Sequence, residues 1–268
     1  MSPSTPSAPP LKRALALTAH LLSLSPALYF ILPLALLHSA LPSALSAMSH
    51  PRCLDALWVT MSTSLTACAL MITLLTPLAW KLSGGASGAQ SPGMRHLEAL
   101  CIIPLALPPT VSGVALLYAF GRASLGAWSV SMSWVAVVIA QLFIAGPLYL
   151  RGASLAFSEL PSALREVSLT LGAPPQDVFW RLAVPLCRPA LLSAVLTAWL
   201  RALGEFGATL LFAGNLQGST QTMPLAIYSL LELDQPLAIG LSLWLLWGAS
   251  LLSVALLAQT KVSDDIQP

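Results

Sequence analysis

Two side chains of opposite charge, Arg201 and Glu205, stand four residues apart in the otherwise apolar stretch AWLRALGEFGATLLFAGN. Residues four apart share one face of a helix, so the two can form an ion pair, although arginine before glutamate is the less favourable order. Placing a charged side chain in the middle of a bilayer costs roughly 2.5–3.5 kcal/mol on insertion scales, so neither side chain is expected to face lipid. The pair therefore either joins helices as a packing device or lines a polar path. Gly204 and Gly207 permit close helix approach or local unwinding, which makes a gate or hinge one hypothesis for this segment.

Two hydroxyl side chains, Thr110 and Ser112, follow a pair of prolines in the stretch LALPPTVSGVALL. Pro108 and Pro109 lack a backbone N–H and disturb the helical backbone around them. The hydroxyl groups either line a path or bond back to carbonyl groups of their own helix. The path candidates are Thr110, Ser112, Arg201 and Glu205.

A polar, proline-containing stretch at residues 161–185 lies between two strongly hydrophobic segments. Its first part predicts a short amphipathic helix that begins at Pro161 and ends near Gly172, a residue typical of helix ends. The chain then turns at Pro174 and Pro175, and a second short helix, QDVFWRLAV, is predicted up to Pro185. Two such helices form either a rigid projection that can transmit force or an element that lies on the lipid headgroups.

The elements that carry these side chains are predicted from composition and from the length of the apolar runs. Of 268 residues 56% are hydrophobic and 8% charged, against roughly 25% charged in an average soluble domain. A helix of about 20 apolar residues crosses a bilayer. The sequence therefore predicts an all-α integral membrane protein in which prolines kink the helices without ending them. Six transmembrane helices are predicted, at residues 15–37, 57–80, 98–120, 131–150, 190–213 and 237–259.

The orientation follows from the basic residues, because cytoplasmic flanks carry an excess of lysine and arginine. With the amino terminus inside, only Arg52 and Arg122 fall outside, and Arg201 lies within a helix. Both termini are therefore predicted to be cytoplasmic, with a disordered tail at residues 1–13, a single transmembrane domain at 14–260 and a second tail at 261–268. The nine basic residues on the cytoplasmic side are Lys12, Arg13, Lys81, Arg95, Arg151, Arg165, Arg181, Arg188 and Lys261.

Several functional classes are not expected. The net charge of +2 comes without a basic stripe, which argues against nucleic-acid binding. The four cysteines lack CxxC spacing and the four histidines lie far apart, which favours buried thiols over a metal site. Every aspartate falls in a predicted loop or tail, so an intramembrane enzyme is not expected, and no residue is assigned a catalytic role. A secondary transporter driven by an ion gradient stays open, because an internal ion pair also suits that class.

The stretch from Glu166 to Pro185 is similar to the "EAA" signature of the permeases of ABC importers. The signature reads EAA, three residues, G, nine residues and I-x-L-P, and Glu166, Gly172 and Pro185 stand in that register. Val167 and Ser168 replace the two alanines, and the pattern near its end reads LAVP. The stretches PLALPPTVSGVALLYAFGR, RALGEFGATLLFAGN and TQTMPLAIY resemble the molybdate-type permeases, more than their sulfate and thiosulfate relatives, over roughly residues 57–259.

This resemblance implies a type I ABC importer permease-like fold with a cytoplasmic coupling helix between spans four and five. It also implies a multi-pass protein of the bacterial inner membrane that forms a homodimer and moves molybdate or tungstate, or alternatively sulfate, thiosulfate or another oxyanion, inward by alternating access. The implied partners are two copies of an ATP-binding subunit, which binds Mg-ATP, and an extracytoplasmic oxyanion-binding protein. No cofactor is expected in this chain, because none of its lysines is preceded by glycine as a GxxxxGK[ST] phosphate loop requires. The coupling residues implied by the signature are Glu166, Val167, Ser168, Gly172, Ala173 and Pro185.

Overall fold

The computed structural model describes Tyr29 and residues 31–264, with side chains up to residue 258, and these residues form helices and turns without a β-strand. The all-α prediction is confirmed for this part of the chain. The tail predicted at 1–13 and most of the first predicted span, 15–37, lie outside the described residues. The helices are α1 (Ile31–His38), α2 (Leu41–Ser49), α3 (Pro51–Leu82), α4 (Pro92–Ala106), α5 (Pro109–Phe120), α6 (Trp134–Ser158), α7 (Ser162–Thr170), α8 (Pro175–Leu186), α9 (Arg188–Leu203), α10 (Gly207–Phe212), α11 (Met223–Leu233) and α12 (Gln235–Asp264).

Three helices among the described residues are long and apolar enough to cross a membrane as single rods. They are α3, α6 and α12, and they match the spans predicted at 57–80, 131–150 and 237–259. Three further pairs of helices, α1 with α2, α4 with α5 and α8 with α9, qualify only together, because each pair is sharply bent. If each bent pair forms one span the total is six, so the six-span topology stays a prediction.

The span predicted at 98–120 is wrong as a continuous helix. The structure ends α4 at Ala106 and turns the next helical stretch, Pro109–Trp128, by 116°. Leu107 has ψ 140° and Pro108 has ψ 138°, both outside the helical region. A proline disfavours the helical conformation at the residue before it, and two successive prolines leave both Leu107 and Pro108 extended here. The two prolines correctly indicated where the helix is disturbed, but the sequence predicted a kink and the structure has a break between two helices.

The span predicted at 190–213 is likewise wrong as a continuous helix. Helix α9 ends at Leu203, and α10 begins only at Gly207. Phe206, between them, has φ −129° and ψ −57°, which interrupts the helical path. By contrast, α3 passes through Pro77 without a break. A π-helical turn at Met71–Leu75 accommodates the irregular backbone hydrogen bonding that a proline causes within a helix.

The helices pack around α6, whose side chains contribute to two of the three hydrophobic clusters. The largest cluster joins α6 to α3, α8 and α9, and a second joins it to α5 and α10. A third cluster holds α2, α3, α11 and α12 together. Small residues allow close approach where helices cross, as where a Cβ on Gly152 would lie 3.0 Å from that of Ala194. The core therefore fixes α8 at one end of α6 and the two helix breaks beside it.

Candidate functional site

The helical hairpin formed by α7 and α8 contains the residues of the predicted coupling signature. Helix α7 ends as the sequence predicts, since Gly172 has φ +83° in the left-handed region that favours glycine. Its N–H donates to the carbonyl of Leu169 at 2.9 Å, and the N–H of Ala173 donates to that of Ser168 at 3.0 Å. These two bonds form a Schellman motif, which satisfies carbonyl groups at the helix end and fixes the direction of the turn into α8.

Arg165 attaches this hairpin to the membrane core. Its side chain is buried, with an exposed fraction of 4%, and its guanidinium lies 5.1 Å from the ring centre of Trp80. It donates to the carbonyl of Gly85 at 3.2 Å and to the carbonyl of Phe157 near the end of α6. Burial lowers the pKa of Arg165, but a guanidinium stays charged at physiological pH. Arg165 thus links α7 to α3, to the loop after α3 and to the carboxyl end of α6, where the helix dipole favours a positive charge.

An aromatic cluster holds α8 against the same two helices. Phe179 lies 5.8 Å from Trp80 and 6.1 Å from Phe157, while Trp80 and Phe157 meet edge to face at 5.4 Å. Rings at such distances attract one another beyond the effect of buried area. The hairpin is therefore a rigid extension of the membrane core.

The outer surface of the hairpin carries apolar side chains that nothing in the described chain covers. Leu171 has an exposed fraction of 82%, Val167 of 56% and Leu164 of 42%. Glu166, Gly172 and Pro185 are also exposed, whereas Ser168 and Ala173 are half-buried. A cluster of exposed apolar side chains on a rigid element is typical of a surface that binds another protein.

The predicted ion pair forms at the break between α9 and α10. A guanidinium nitrogen of Arg201 lies 2.9 Å from a carboxylate oxygen of Glu205. The other oxygen of Glu205 accepts a hydrogen bond from the N–H of Ala208 at 2.9 Å and so satisfies a backbone donor in the first turn of α10. Glu205 is buried, while about a third of the Arg201 side chain, 36%, is exposed. The carboxylate thus joins the two helical segments, and the guanidinium belongs to a partly exposed side chain.

The second group of path candidates lies against this break. A Cβ on Gly207 would be 3.1 Å from the Cβ of Pro109 and 3.4 Å from the nitrogen of Thr110. A Cβ on Gly113 would be 2.9 Å from the Cα of Ala208, so the backbones of α5 and α10 touch. The structure therefore brings the Thr110–Ser112 segment and the Arg201–Glu205 segment together, although almost a hundred residues separate them in the sequence.

Buried polar atoms without a hydrogen-bond partner among the described residues mark the same region. They include the hydroxyl oxygens of Ser112 and Thr209 and the side-chain oxygen of Gln141. Ser112 therefore does not bond back to its own helix, which was one of its two interpretations. Gln141, a polar residue in the apolar run of α6, was missed in the sequence analysis although its isolation there was a visible signal. Thr110, in contrast, is exposed.

Comparison with known sequences finds a transport family and relatives that are transport system permease proteins. The family described as binding-protein-dependent transport system inner membrane component matches residues 84–264. The molybdenum transport system permease protein ModB of Mycobacterium tuberculosis is 38% identical over 227 residues, which cover 81% of this chain and 84% of that protein. The sulfate transport system permease protein CysT of Escherichia coli is 31% identical over 86% of this chain and 88% of its own length.

Comparison with solved structures supports the fold. A chain from the crystal structure of a bacterial ABC transporter involved in the import of the acidic polysaccharide alginate superposes with a TM-score of 0.63. The match covers 96% of this chain and 98% of the other at 15% identity. The alginate transporter in complex with a pentasaccharide-bound periplasmic protein gives a TM-score of 0.62 at 16% identity. At these identities the likeness concerns the fold, and it agrees with the predicted ABC importer permease architecture.

Proposed function

The chain belongs to the family of binding-protein-dependent transport system inner membrane components, and we propose that it is the permease subunit of an ATP-driven importer of molybdate or tungstate. The observation that carries the transport role is the rigid α7–α8 hairpin, which has an ABC importer signature and an uncovered apolar surface. The identity of 38% with a molybdenum permease, against 31% with a sulfate permease, supports the cargo. Sulfate is therefore the weaker alternative.

The proposed partners follow from this role. Two ATP-binding subunits, each holding Mg-ATP, dock on the hairpins of two copies of this chain, and an extracytoplasmic protein delivers the oxyanion. The periplasmic protein bound to the alginate transporter supports such a delivery partner. The hairpin faces the cytoplasm in this arrangement, as the distribution of basic residues predicts. The chain itself is a transport subunit with no catalytic residue assigned.

The proposed mechanism is alternating access. ATP binding closes the pair of ATP-binding subunits and draws the two hairpins together. Because Arg165 and the aromatic cluster tie each hairpin to α3 and α6, its displacement moves the membrane helices as a rigid body. The path then opens outward to receive the oxyanion, and hydrolysis resets it inward.

The two adjoining helix breaks are the proposed gate. Both lack continuous helical hydrogen bonding, so small rotations there require few bonds to break. Thr110 and the exposed part of Arg201 offer a hydroxyl donor and a cation to a passing anion, while Glu205 limits how tightly the anion is held. Ser112 and Gln141 are buried beside them and are proposed to become accessible when α5 and α10 separate.

Variants of the ion pair distinguish this gate from a packing device. Arg201→Ala leaves the buried carboxylate of Glu205 without its partner, which destabilises the fold by about 1–3 kcal/mol. The double variant Arg201→Ala/Glu205→Gln removes the unpaired charge and keeps an oxygen for the N–H of Ala208. We expect it to regain thermal stability, yet uptake in vesicles should remain reduced about fivefold, equivalent to about 1 kcal/mol. Full recovery of both properties would assign the pair to packing alone.

Reconstitution tests the proposed function as a whole. The chain is assembled in liposomes with its ATP-binding subunit and binding protein, and accumulation of molybdate, tungstate and sulfate is measured. We expect uptake of molybdate and tungstate to require ATP and both partners, and sulfate uptake to be weaker. Uptake driven by an ion gradient without ATP would instead support the secondary transporter.

A further inference from the structure

A groove of about 310 Å³ lies outside the proposed path, between α3, α6 and the junction of α8 with α9. Its volume is at the lower end of the roughly 300–1,000 Å³ of small-molecule sites. Most of its wall is aliphatic, including Ile72, Val184, Leu192 and Val195. The hydroxyls of Thr76 and Tyr149 also line it, but they lie 2.5 Å apart and satisfy each other. The groove therefore suits an apolar occupant.

One cation, Arg188, forms part of this apolar wall. Its side chain is exposed and has neither an ion-pair partner nor a hydrogen-bond acceptor among residues 31–258. Arg188 is also the first residue of α9, where the helix dipole disfavours a positive charge. A negatively charged group bound beside Arg188 would give the guanidinium an ion-pair partner and would offset the unfavourable helix dipole.

The position of the groove fits the inner lipid leaflet. It lies directly beside the hairpin, on the side where the basic residues predict the cytoplasm. Trp180, which also lines the groove, has an exposed fraction of 62%, and tryptophan is enriched at the membrane interface. An apolar groove with a cation and an exposed indole in its wall matches an acyl chain with an anionic headgroup.

We propose that this groove binds an anionic phospholipid, with the phosphate on Arg188 and an acyl chain between α3 and α9. The lipid bridges the hairpin and the membrane core at Val184 and Ile72, so it reinforces the attachment of the hairpin to the core. This role is independent of the cargo, and it places lipid composition among the factors that set coupling efficiency.

Native mass spectrometry of the full chain in detergent tests the proposal, with dioleoylphosphatidylglycerol and dioleoylphosphatidylcholine as competing probes. We expect about fivefold preference for the anionic lipid, as one basic side chain near the membrane surface provides. Arg188→Gln should abolish the preference, and Leu192→Trp should fill the groove and reduce the binding of both lipids.

Two matched variants serve as controls. Arg122→Gln removes an exposed arginine that does not line this groove, and Leu100→Trp fills a second apolar groove whose lining contains no charged residue. Both should leave the preference intact. Equal binding of the two lipids by the wild-type chain, or equal loss in Arg122→Gln, would overturn the proposal. Formation of a disulfide dimer by Thr73→Cys would also overturn it, since a second copy of the chain would then cover the groove.

Discussion

Uptake by the Arg165→Met variant is expected to fall about a hundredfold, while the protein still inserts and assembles. A hydrogen bond from a charged donor contributes about 1.5–3 kcal/mol, and Arg165 donates two, to Gly85 and Phe157. Methionine can fill the space beside Trp80 but cannot bind either carbonyl. The hairpin then moves relative to α6, so closure of the ATP-binding subunits no longer displaces the membrane helices.

Arg181→Met is the matched control, because it removes an arginine from the same hairpin. Its side chain is 79% exposed and its guanidinium lies 3.6 Å from the carboxylate of Asp177, and a surface pair of this kind contributes little. Uptake should stay close to wild type. Measuring ATP hydrolysis and uptake together separates uncoupling from collapse, since we expect Arg165→Met to retain hydrolysis. Uptake within twofold of wild type in Arg165→Met would contradict the anchoring role.

Gly172→Val is expected to reduce uptake about tenfold, because the left-handed conformation costs a non-glycine residue roughly 1–2 kcal/mol. A Cβ at this position meets no atom within 4 Å, so backbone conformation and not crowding limits the substitution. Valine should shift φ from +83° and redirect the turn between α7 and α8.

Gly172→Asn is the control for this position, since asparagine adopts the left-handed region more readily than other side chains. Uptake by Gly172→Asn should stay within about threefold of wild type, which places it above the valine variant. Both variants should reach the membrane in normal amounts, as measured by immunoblot of membrane fractions. Equal activity of the two variants would show that the turn geometry is not required.

The parts of this fold that depend on local sequence were predictable. Length and hydropathy alone located α3, α6 and α12, because a long apolar run has few alternatives in a bilayer. Gly172 was correctly placed at a helix end, since its conformation is a property of the residue itself. The spacing of Arg201 and Glu205 correctly predicted an ion pair, although Glu205 lies just beyond the end of α9 and not on its face.

Features that depend on distant contacts were not predictable. The prolines at 108 and 109 indicated a disturbance, but the direction of α5 depends on the contact of Gly113 with Ala208. Arg165 was assigned with the other cytoplasmic charges, because its carbonyl partner at Gly85 lies 80 residues away. The sequence had no local signal for either contact.

Photo-cross-linking from position 171 tests most directly whether the α7–α8 hairpin receives motion from a separate ATP-binding subunit. Leu171 is 82% exposed on the outer surface of the hairpin, so a photoreactive side chain there should reach a docked partner. In membranes that contain the assembled transporter we expect the main product to be this chain linked to the ATP-binding subunit. The same probe at Leu125, predicted to lie on the opposite side, should not form it. Products with lipid alone at position 171, or linkage to the binding protein on the outer side, would contradict the role assigned to the hairpin.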